Sequence, residues 1–208
     1  YDWSLVKGLL ECRSKYQQTL EQLRLYYLSV GDVEKARWAE EELRQYHRIS
    51  KQPYRLELDV PPPTLEAKQN IPEANQLYMQ AMGYKDKGWG NDYIDNQRRS
   101  ELLLQQLLTN YPQSDKIGDA AFMLGDVYES RAYKQYRRAA HYFERAVQWN
   151  PTTHREARIR AARLYDRQMV DRRKARELYQ EVITHDTDTK RIAEAQRRLN
   201  ELGNQRSQ

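Results

Sequence analysis

The chain has few of the residues on which disulfides, metal clusters and catalytic sites depend. Its 208 residues include one cysteine, Cys12, so an internal disulfide and a cysteine-based metal cluster are excluded. The four histidines lie far apart, and the sequence contains no HExxH motif, no phosphate-binding glycine loop and no nucleophile elbow. We therefore predict no catalytic residues, no metal site and no cofactor, in a protein that is not an enzyme.

Long apolar runs and glycine are scarce as well. No apolar run approaches the ~18 residues of a membrane-spanning helix. Eight glycines and two phenylalanines occur against sixteen tyrosines, and 31% of the residues are charged. This composition is typical of a thin array of amphipathic helices with a large solvated surface.

Small and aromatic residues recur at helical spacing between residues 121 and 151. They are Ala121, Leu124, Gly125 and Tyr128, followed by Ala139, Phe143, Ala146 and Pro151. The first four fall three, four and seven residues apart, on one helix face. Glycine costs a helix about 1 kcal/mol relative to alanine, so Gly125 indicates that a second helix packs closely at this position. Pro151 then ends that second helix.

This pattern resembles a tetratricopeptide repeat. The alanine, aromatic, alanine and proline spacing of the second half matches that family, although the turn is two residues longer than the ~34-residue repeat allows. The resemblance implies an all-α fold, a right-handed superhelical array of antiparallel helical hairpins. A second set of residues is similar to the repeats of bacterial outer-membrane-assembly lipoproteins and their periplasmic relatives. It comprises Leu104, Leu107, Tyr111, Pro112, Ser114, Ala120, Ala121, Leu124, Gly125 and Tyr128.

The same pattern divides the chain into six segments. We predict a long N-terminal helical hairpin (1–50), a proline-rich extended linker (51–74), a repeat with a long turn (75–112), a central repeat (113–151), a third repeat (152–187), and a capping helix with a tail (188–208). In the linker, Tyr54, Leu56, Leu58 and Val60 alternate with polar residues, which favours an extended strand that lies along the array or is added to a partner.

The first helix of the N-terminal hairpin is predicted to outrun its return helix. Roughly 27 residues reach ~40 Å, whereas ~17 residues reach ~25 Å. The overhang carries Leu5, Leu9 and Leu10 at helical spacing. We expect this stripe either to fold against the linker and repeats or to dock on a partner, since both arrangements use the same spacing.

The resemblance implies that the first helix of each repeat lines a concave binding groove. We predict that the groove is formed by Tyr78, Met82, Lys85, Phe122, Asp126, Glu129, Ile159, Arg163 and Arg167. Phe122 and Ile159 have a second interpretation as core residues between repeats. Trp89, in the glycine-containing turn at 87–90, is either tucked into its own hairpin or displayed to a partner.

All of the net charge of +5 lies in residues 151–208, which hold 14 basic and 9 acidic residues. The arginines are Arg155, Arg158, Arg160, Arg163, Arg167, Arg172, Arg173 and Arg176. Interleaved acids favour a solvated face with intrahelical ion pairs. The alternatives are an acidic protein partner, nucleic acid or an anionic membrane.

We therefore expect a noncatalytic protein-protein interaction scaffold. The family resemblance implies a subunit or assembly factor of a bacterial cell-envelope complex in the periplasm, with the cytoplasm as the alternative compartment. It would bind peptide or helix segments in the groove and dock by its N-terminal helix. The rival hypothesis is a basic-surface binder of nucleic acid or membrane that uses the C-terminal arginines. Because the sequence begins with Tyr1 instead of methionine, we expect a preceding segment that could hold a signal or anchor.

Overall fold

The computed structural model describes residues 2–49, 51–152 and 154–204, and α-helices dominate this part of the chain. The helices are Asp2–Ser29 (α1), Val33–Arg48 (α2), Leu56–Asp59 (α3), Pro72–Tyr84 (α4), Gly90–Asn110 (α5), Ile117–Glu129 (α6), Tyr136–Trp149 (α7), Glu156–Arg167 (α8), Arg172–His185 (α9) and Thr189–Asn204 (α10). The predicted tail at 205–208 lies outside the described residues. No described helix is long and apolar enough to cross a membrane.

Successive long helices pack as hairpins, and the hairpins stack on one another. The pairs are α1 with α2, α4 with α5, α6 with α7, and α8 with α9. Helix α5 packs on α6, α7 packs on α8, and α10 covers α9 and part of α8. This arrangement confirms the predicted all-α fold as a tetratricopeptide-like helical solenoid.

The close approach predicted at Gly125 is present. A Cβ atom on Gly125 would lie 2.7 Å from the ring of Phe143, so only glycine fits without a shift in α7. Tyr128 and Phe143 are fully buried beside it, and the apolar core runs from Val60 to Leu202 through the stacked hairpins.

The N-terminal hairpin has the predicted unequal arms, with 28 residues in α1 and 16 in α2. Gly31 makes the turn between them with φ of 77°, in the left-handed region that glycine tolerates. Asp32 then caps α2, since its side chain accepts a hydrogen bond from the backbone N–H of Lys35 at 3.1 Å. Helix α2 also packs against α5, so the hairpin is attached to the array.

The prediction of a strand between Tyr54 and Val60 was wrong. Residues Leu56–Asp59 form one helical turn, and the N–H of Val60 donates to the carbonyl of Leu56 at 2.8 Å. A turn satisfies its own backbone groups, whereas a strand needs a neighbouring strand, and in the described part of the chain the β-pairing is an isolated bridge between Gln69 and Ser114.

The linker nevertheless lies along the array, as expected. Arg145 Nε donates to the carbonyl of Pro61 at 2.7 Å, and Trp149 Nε1 donates to that of Pro62 at 3.1 Å. Polar side chains of α7 thus satisfy carbonyls that the proline-rich chain could not pair with its own N–H groups. Helix α4 begins at Pro72, within the interval predicted for the linker, because proline is well suited to the first helical turn.

Candidate functional site

The predicted groove contains a network of ion pairs that crosses from one repeat to the next. Lys85, at the end of α4, contacts both Asp86 and Asp126, and its side chain is almost fully buried. On the other side of Asp126, Arg160 Nη2 lies 2.6 Å from Asp126 Oδ1 and 2.5 Å from Glu129 Oε2. The structure therefore brings Lys85, Asp126 and Glu129 together, through an arginine of α8.

The protonation of this network follows from its contacts. Burial by itself lowers the pKa of Lys85, but hydrogen bonds to Asp126 and Asp86 raise the pKa overall. Burial likewise raises the pKa of Asp126, while its hydrogen bond from Lys85 and the charge of Arg160 lower the pKa overall. Both groups are thus ionised near neutral pH, and the pairs hold α4, α6 and α8 in register.

A second group of pairs joins α8 to α10. Arg163 Nε lies 2.8 Å from Glu194 Oε1, and Arg167 Nη2 lies 3.9 Å from the same carboxylate oxygen. The two predicted arginines are therefore brought together by a residue of the last helix. Neither Arg160 nor Glu194 was among the predicted groove residues. Arg160 could have been found, because it precedes Arg163 and Arg167 by three and seven residues on one face of α8.

The remaining predicted groove residues are buried to different degrees. Phe122 and Ile159 are 5% and 1% exposed. Their burial favours the second interpretation, in which they are core residues between repeats. The ring of Phe122 stacks on that of His154 with centroids 4.2 Å apart. Tyr78 and Met82 are half-buried on α4, and burial raises the pKa of Tyr78. The exposed side chains among the predicted groove residues are therefore mainly charged.

The N-terminal hairpin carries most of the uncovered apolar surface. In the described part of the chain, twelve of the seventeen exposed large apolar side chains lie between Trp3 and Ile49. Leu5 and Leu9 are 57% and 37% exposed, whereas Leu10 is half-buried beside a cavity described below. The linker reaches the start of α1, where Arg55 Nη2 lies 2.7 Å from Asp2 Oδ2, but it leaves Leu5 and Leu9 uncovered.

The largest group of these side chains lies near the turn of the hairpin, away from the predicted overhang. We call this surface the hairpin tip and define it by six residues that are 49 to 61% exposed. They are Leu25, Tyr26, Leu28, Val30, Val33 and Trp38. Near the tip, Glu40 of α2 accepts from Arg99 Nη2 of α5 at 3.1 Å and lies 3.4 Å from Arg24 Nε of α1.

Trp89 is displayed, which decides between the two alternatives for the turn at 87–90. Its side chain is 85% exposed between Gly88 and Gly90, which have φ values of 81° and 55°. These positive values are readily adopted by glycine, so the turn holds Trp89 away from its own hairpin.

The C-terminal arginines are largely paired with carboxylates of this chain. Arg160, Arg163 and Arg167 belong to the groove networks described above. Arg158 Nε lies 3.9 Å from Glu181 Oε2, and Arg173 Nε donates to Glu177 at 3.3 Å. Of these pairs, that of Arg173 with Glu177 is intrahelical, as expected, whereas the others join different helices, and Arg158 is buried.

A polar cavity of about 300 Å³ lies between the N-terminal hairpin and the array. We call it the hairpin-array cavity. Its walls come from α1, the end of α2, the linker, α5 and α7, and include Arg13, Tyr46, His47, Lys51, Asp59, Arg98, Glu101 and Arg138. Sequence reasoning missed this site, because its residues are spread over five elements and share no short motif.

The floor of the hairpin-array cavity is a buried network centred on Glu101. Tyr128 Oη donates to Glu101 at 2.7 Å, and the hydroxyl of Tyr133 donates to its other carboxylate oxygen. Beside it, Arg138 forms a bidentate ion pair with Asp59 of the linker, with Nη2 to Oδ1 at 2.7 Å. This buried pair attaches α3 to α7.

Comparison with known families adds to this geometry. Residues 130–199 match the model of the tetratricopeptide repeat family. The match runs from the turn after α6 into α10 and covers about a third of the chain. Among curated proteins, no sequence matches the chain significantly. At a general level, tetratricopeptide repeats indicate a protein-protein interaction scaffold.

Proposed function

We propose that this protein is a noncatalytic scaffold that docks on a partner protein through the hairpin tip and holds a peptide or helix segment of a partner in its groove. The observation that carries the proposal is the concentration of exposed apolar side chains on the N-terminal hairpin. A concentration of exposed apolar side chains in one region marks interaction sites, because leaving them in water is unfavourable.

The chemistry of the hairpin tip favours a protein over a charged surface. Residues 24–40 hold three basic and three acidic side chains, namely Arg24, Lys35, Arg37, Asp32, Glu34 and Glu40. The tip is therefore neutral and attracts neither nucleic acid nor an anionic membrane strongly. Trp38 and Tyr26 are residue types enriched at the centres of protein interfaces. A helical partner could lay its apolar face against the tip.

The groove contributes specificity in this proposal. Its charged residues already neutralise one another, so a bound segment gains little from a single opposite charge. A segment with both signs of charge could place a basic group against Asp126 and an acidic group against Arg163, in place of their present partners. Its apolar side chains would contact Tyr78 and Met82. A segment that placed an acidic group against Asp126, or a basic group against Arg163, would bind less well because like charges repel.

A place in a bacterial cell-envelope complex is the finer part of the proposal. Its support is the Tyr-Pro-x-Ser turn that links the first two repeats, as in the envelope relatives that the chain resembles. In this turn Ser114 is fully buried, and its Oγ accepts from the N–H of Lys116 at 3.1 Å. We propose the periplasm or envelope as the compartment. Fractionation of cells that natively make the protein tests this directly, and recovery from the cytosol alone would refute it.

The docking proposal is tested by affinity capture from native cells with matched surface variants of the whole chain. The test variant is Leu25→Ser with Leu28→Ser and Trp38→Ser. The control is Met79→Ser with Val170→Ser, which alters exposed apolar residues on α4 and in the turn before α9. Partners that resist high salt, are lost with the test variant and are kept by the control would support docking through the tip.

Two outcomes would contradict this account. Equal recovery of partners by the test variant would remove the hairpin tip from the interface. Recovery of nucleic acid that falls steeply with salt, in all variants, would transfer the function to the C-terminal arginines.

A further inference from the structure

Three cations face the hairpin-array cavity without a hydrogen bond to a carboxylate of the described residues. Arg13 comes from α1, Lys51 from the linker and Arg98 from α5. Within the described residues, Arg13 forms no ion pair, and Lys51 Nζ donates to the carbonyls of Tyr46 and Ile49 instead of to an acid. The nearest carboxylate to Arg98 is that of Glu101, at 3.9 Å from Nη1.

The carboxylates of the same cavity are already satisfied. Asp59 is held by Arg138, and Glu101 accepts two tyrosine hydroxyls, from Tyr128 and Tyr133. At the mouth, Glu21 accepts a hydrogen bond from Gln17 at 3.5 Å. The cavity is lined by Arg13, Lys51, Arg98 and Arg138 against Glu21, Asp59 and Glu101. The walls therefore carry one net positive charge, which favours a bound anion.

Arg98 has an unused hydrogen-bond donor at this site. Its residue is 8% exposed, its guanidinium lies over the ring of Tyr133 at 3.9 Å, and its buried Nε has no hydrogen-bond partner among the described residues. An unpaired buried donor is costly. The stacking on Tyr133 fixes the plane of the guanidinium, and Arg98 lines the cavity.

Lys51 also has a lowered pKa at this site. Burial, together with the charges of Arg98, Arg13 and Arg138, lowers the pKa of Lys51 to about 8, although the charge of Glu101 opposes the shift. Lys51 is thus partly deprotonated at mildly alkaline pH. An anion placed beside it would favour the protonated form.

We propose that the hairpin-array cavity binds a small phosphate-bearing molecule, with its phosphate group held by Arg13, Lys51 and Arg98. The forked geometry of arginine suits phosphate oxygens, and a lysine adds a third donor. The cavity is at the lower end of the size range of small-molecule sites and exceeds the volume of phosphate alone. A short organic group attached to the phosphate therefore has room.

The bound phosphate would join three parts of the chain at one point. Arg13 belongs to the N-terminal hairpin, Lys51 to the linker and Arg98 to the repeat array. Occupancy would fix the orientation of the hairpin, and hence of its tip, relative to the groove. This inference stands on the cavity alone and does not depend on the proposed docking partner.

The test is calorimetric titration of the whole chain with inorganic phosphate and with glycerol phosphate, at constant ionic strength and neutral pH. We expect saturable binding that weakens about tenfold or more in Arg13→Gln and in Lys51→Gln, since each removes a charge-assisted hydrogen bond. The matched control is Arg37→Gln, which removes one positive charge from an exposed position of the same hairpin and should leave the affinity unchanged. Tighter binding of glycerol phosphate than of phosphate would place the organic group inside the cavity.

Several results would overturn the proposal. They are absence of saturable binding by the unmodified chain, unchanged affinity in a folded Arg13→Gln variant, or an equal loss in Arg37→Gln. Circular dichroism establishes that each variant is folded. If Lys51→Gln fails to fold, Arg13→Gln decides, because its side chain is half-exposed and forms no ion pair within the described chain.

Sulfate, which stays dianionic at neutral and alkaline pH, provides a second readout. Its affinity should fall as pH rises through about 8, where Lys51 loses its proton, and this dependence should vanish in Lys51→Gln. The other charged or titratable groups that face Lys51 are Arg13 on α1, Tyr46 and His47 on α2, Asp59 on α3, Arg98 and Glu101 on α5, and Arg138 on α7. The same pH dependence in Lys51→Gln would assign the titration to one of these groups and contradict the role of Lys51.

Discussion

Replacing Gly125 by alanine tests the close packing on which the central hairpin depends. The new Cβ atom would lie 2.7 Å from Cδ1 and Cε1 of Phe143, whose ring is fully buried and cannot swing into solvent. Overpacking of this kind costs about 1 to 3 kcal/mol. Alanine also favours the helix by up to about 1 kcal/mol relative to glycine, which offsets part of that cost.

Gly83 on α4 provides the matched control, because nothing lies within 4 Å of the Cβ that an alanine would add there. Gly83→Ala should therefore show the helix-propensity gain without the steric cost. We expect Gly125→Ala to be less stable than Gly83→Ala by about 1 to 3 kcal/mol, because the propensity gain largely cancels in this comparison.

The assay is thermal and denaturant unfolding of both variants followed by circular dichroism. For a chain of this size each 1 kcal/mol shifts Tm by roughly 2 to 4 °C, so Gly125→Ala should melt several degrees below Gly83→Ala. A Gly125→Ala variant that is as stable as Gly83→Ala would show that α6 and α7 do not need glycine at their contact.

Three further predictions concern charged and titratable groups. Burial, with the charge of Lys51, lowers the pKa of His47 to about 4. The folded state therefore binds fewer protons than the unfolded state between about pH 4 and 6.5, and stability should decrease as the pH is lowered through that window. The loss between pH 6.5 and 5 should reach up to ~2 kcal/mol in denaturant unfolding and be reduced in His47→Gln, and an equal loss in that variant would exclude His47. Asp59→Ala leaves a buried guanidinium without its closest carboxylate and should cost about 3 to 5 kcal/mol in the same assay, whereas a cost near zero would show that the linker is not held by this pair. A hydrogen bond from Arg191 lowers the pKa of Asp186 to about 2, so Arg191→Gln should raise that pKa toward 3.8 in an NMR titration, and an unchanged value would assign the shift to the backbone N–H groups alone.

The fold was largely predictable because its signals are local. Helical spacing of Ala139, Phe143 and Ala146 repeats along the chain, and glycine or proline occupies turns where the backbone requires it. The alternation of Leu56, Leu58 and Val60 was misleading, since a strand needs a partner that the sequence around it does not supply. A single helical turn was the local alternative.

The candidate site was predictable only where residues share one helix face. Arg163 and Arg167 were predicted to lie on one face of α8 and both contact Glu194, but that partner lies on another helix, about thirty residues away. The hairpin-array cavity depends on contacts across still longer separations, such as Arg138 with Asp59, and no spacing rule indicates them. The exposure of the hairpin tip also depends on how far α5 packs along the hairpin. This extent is set by the tertiary structure and has no local sequence signal.

Site-specific photo-crosslinking in cells that natively make the protein tests the central claim most directly. A photoreactive amino acid is placed at Leu28 or Trp38 of the hairpin tip, at Asp126 of the groove, and at the exposed control position Arg173. The account predicts crosslinks from Leu28 and Trp38 to the same discrete protein partner, with none from Arg173. Crosslinks to nucleic acid, or an absence of protein crosslinks from both tip positions while Arg173 gives them, would contradict a scaffold that docks through its N-terminal hairpin.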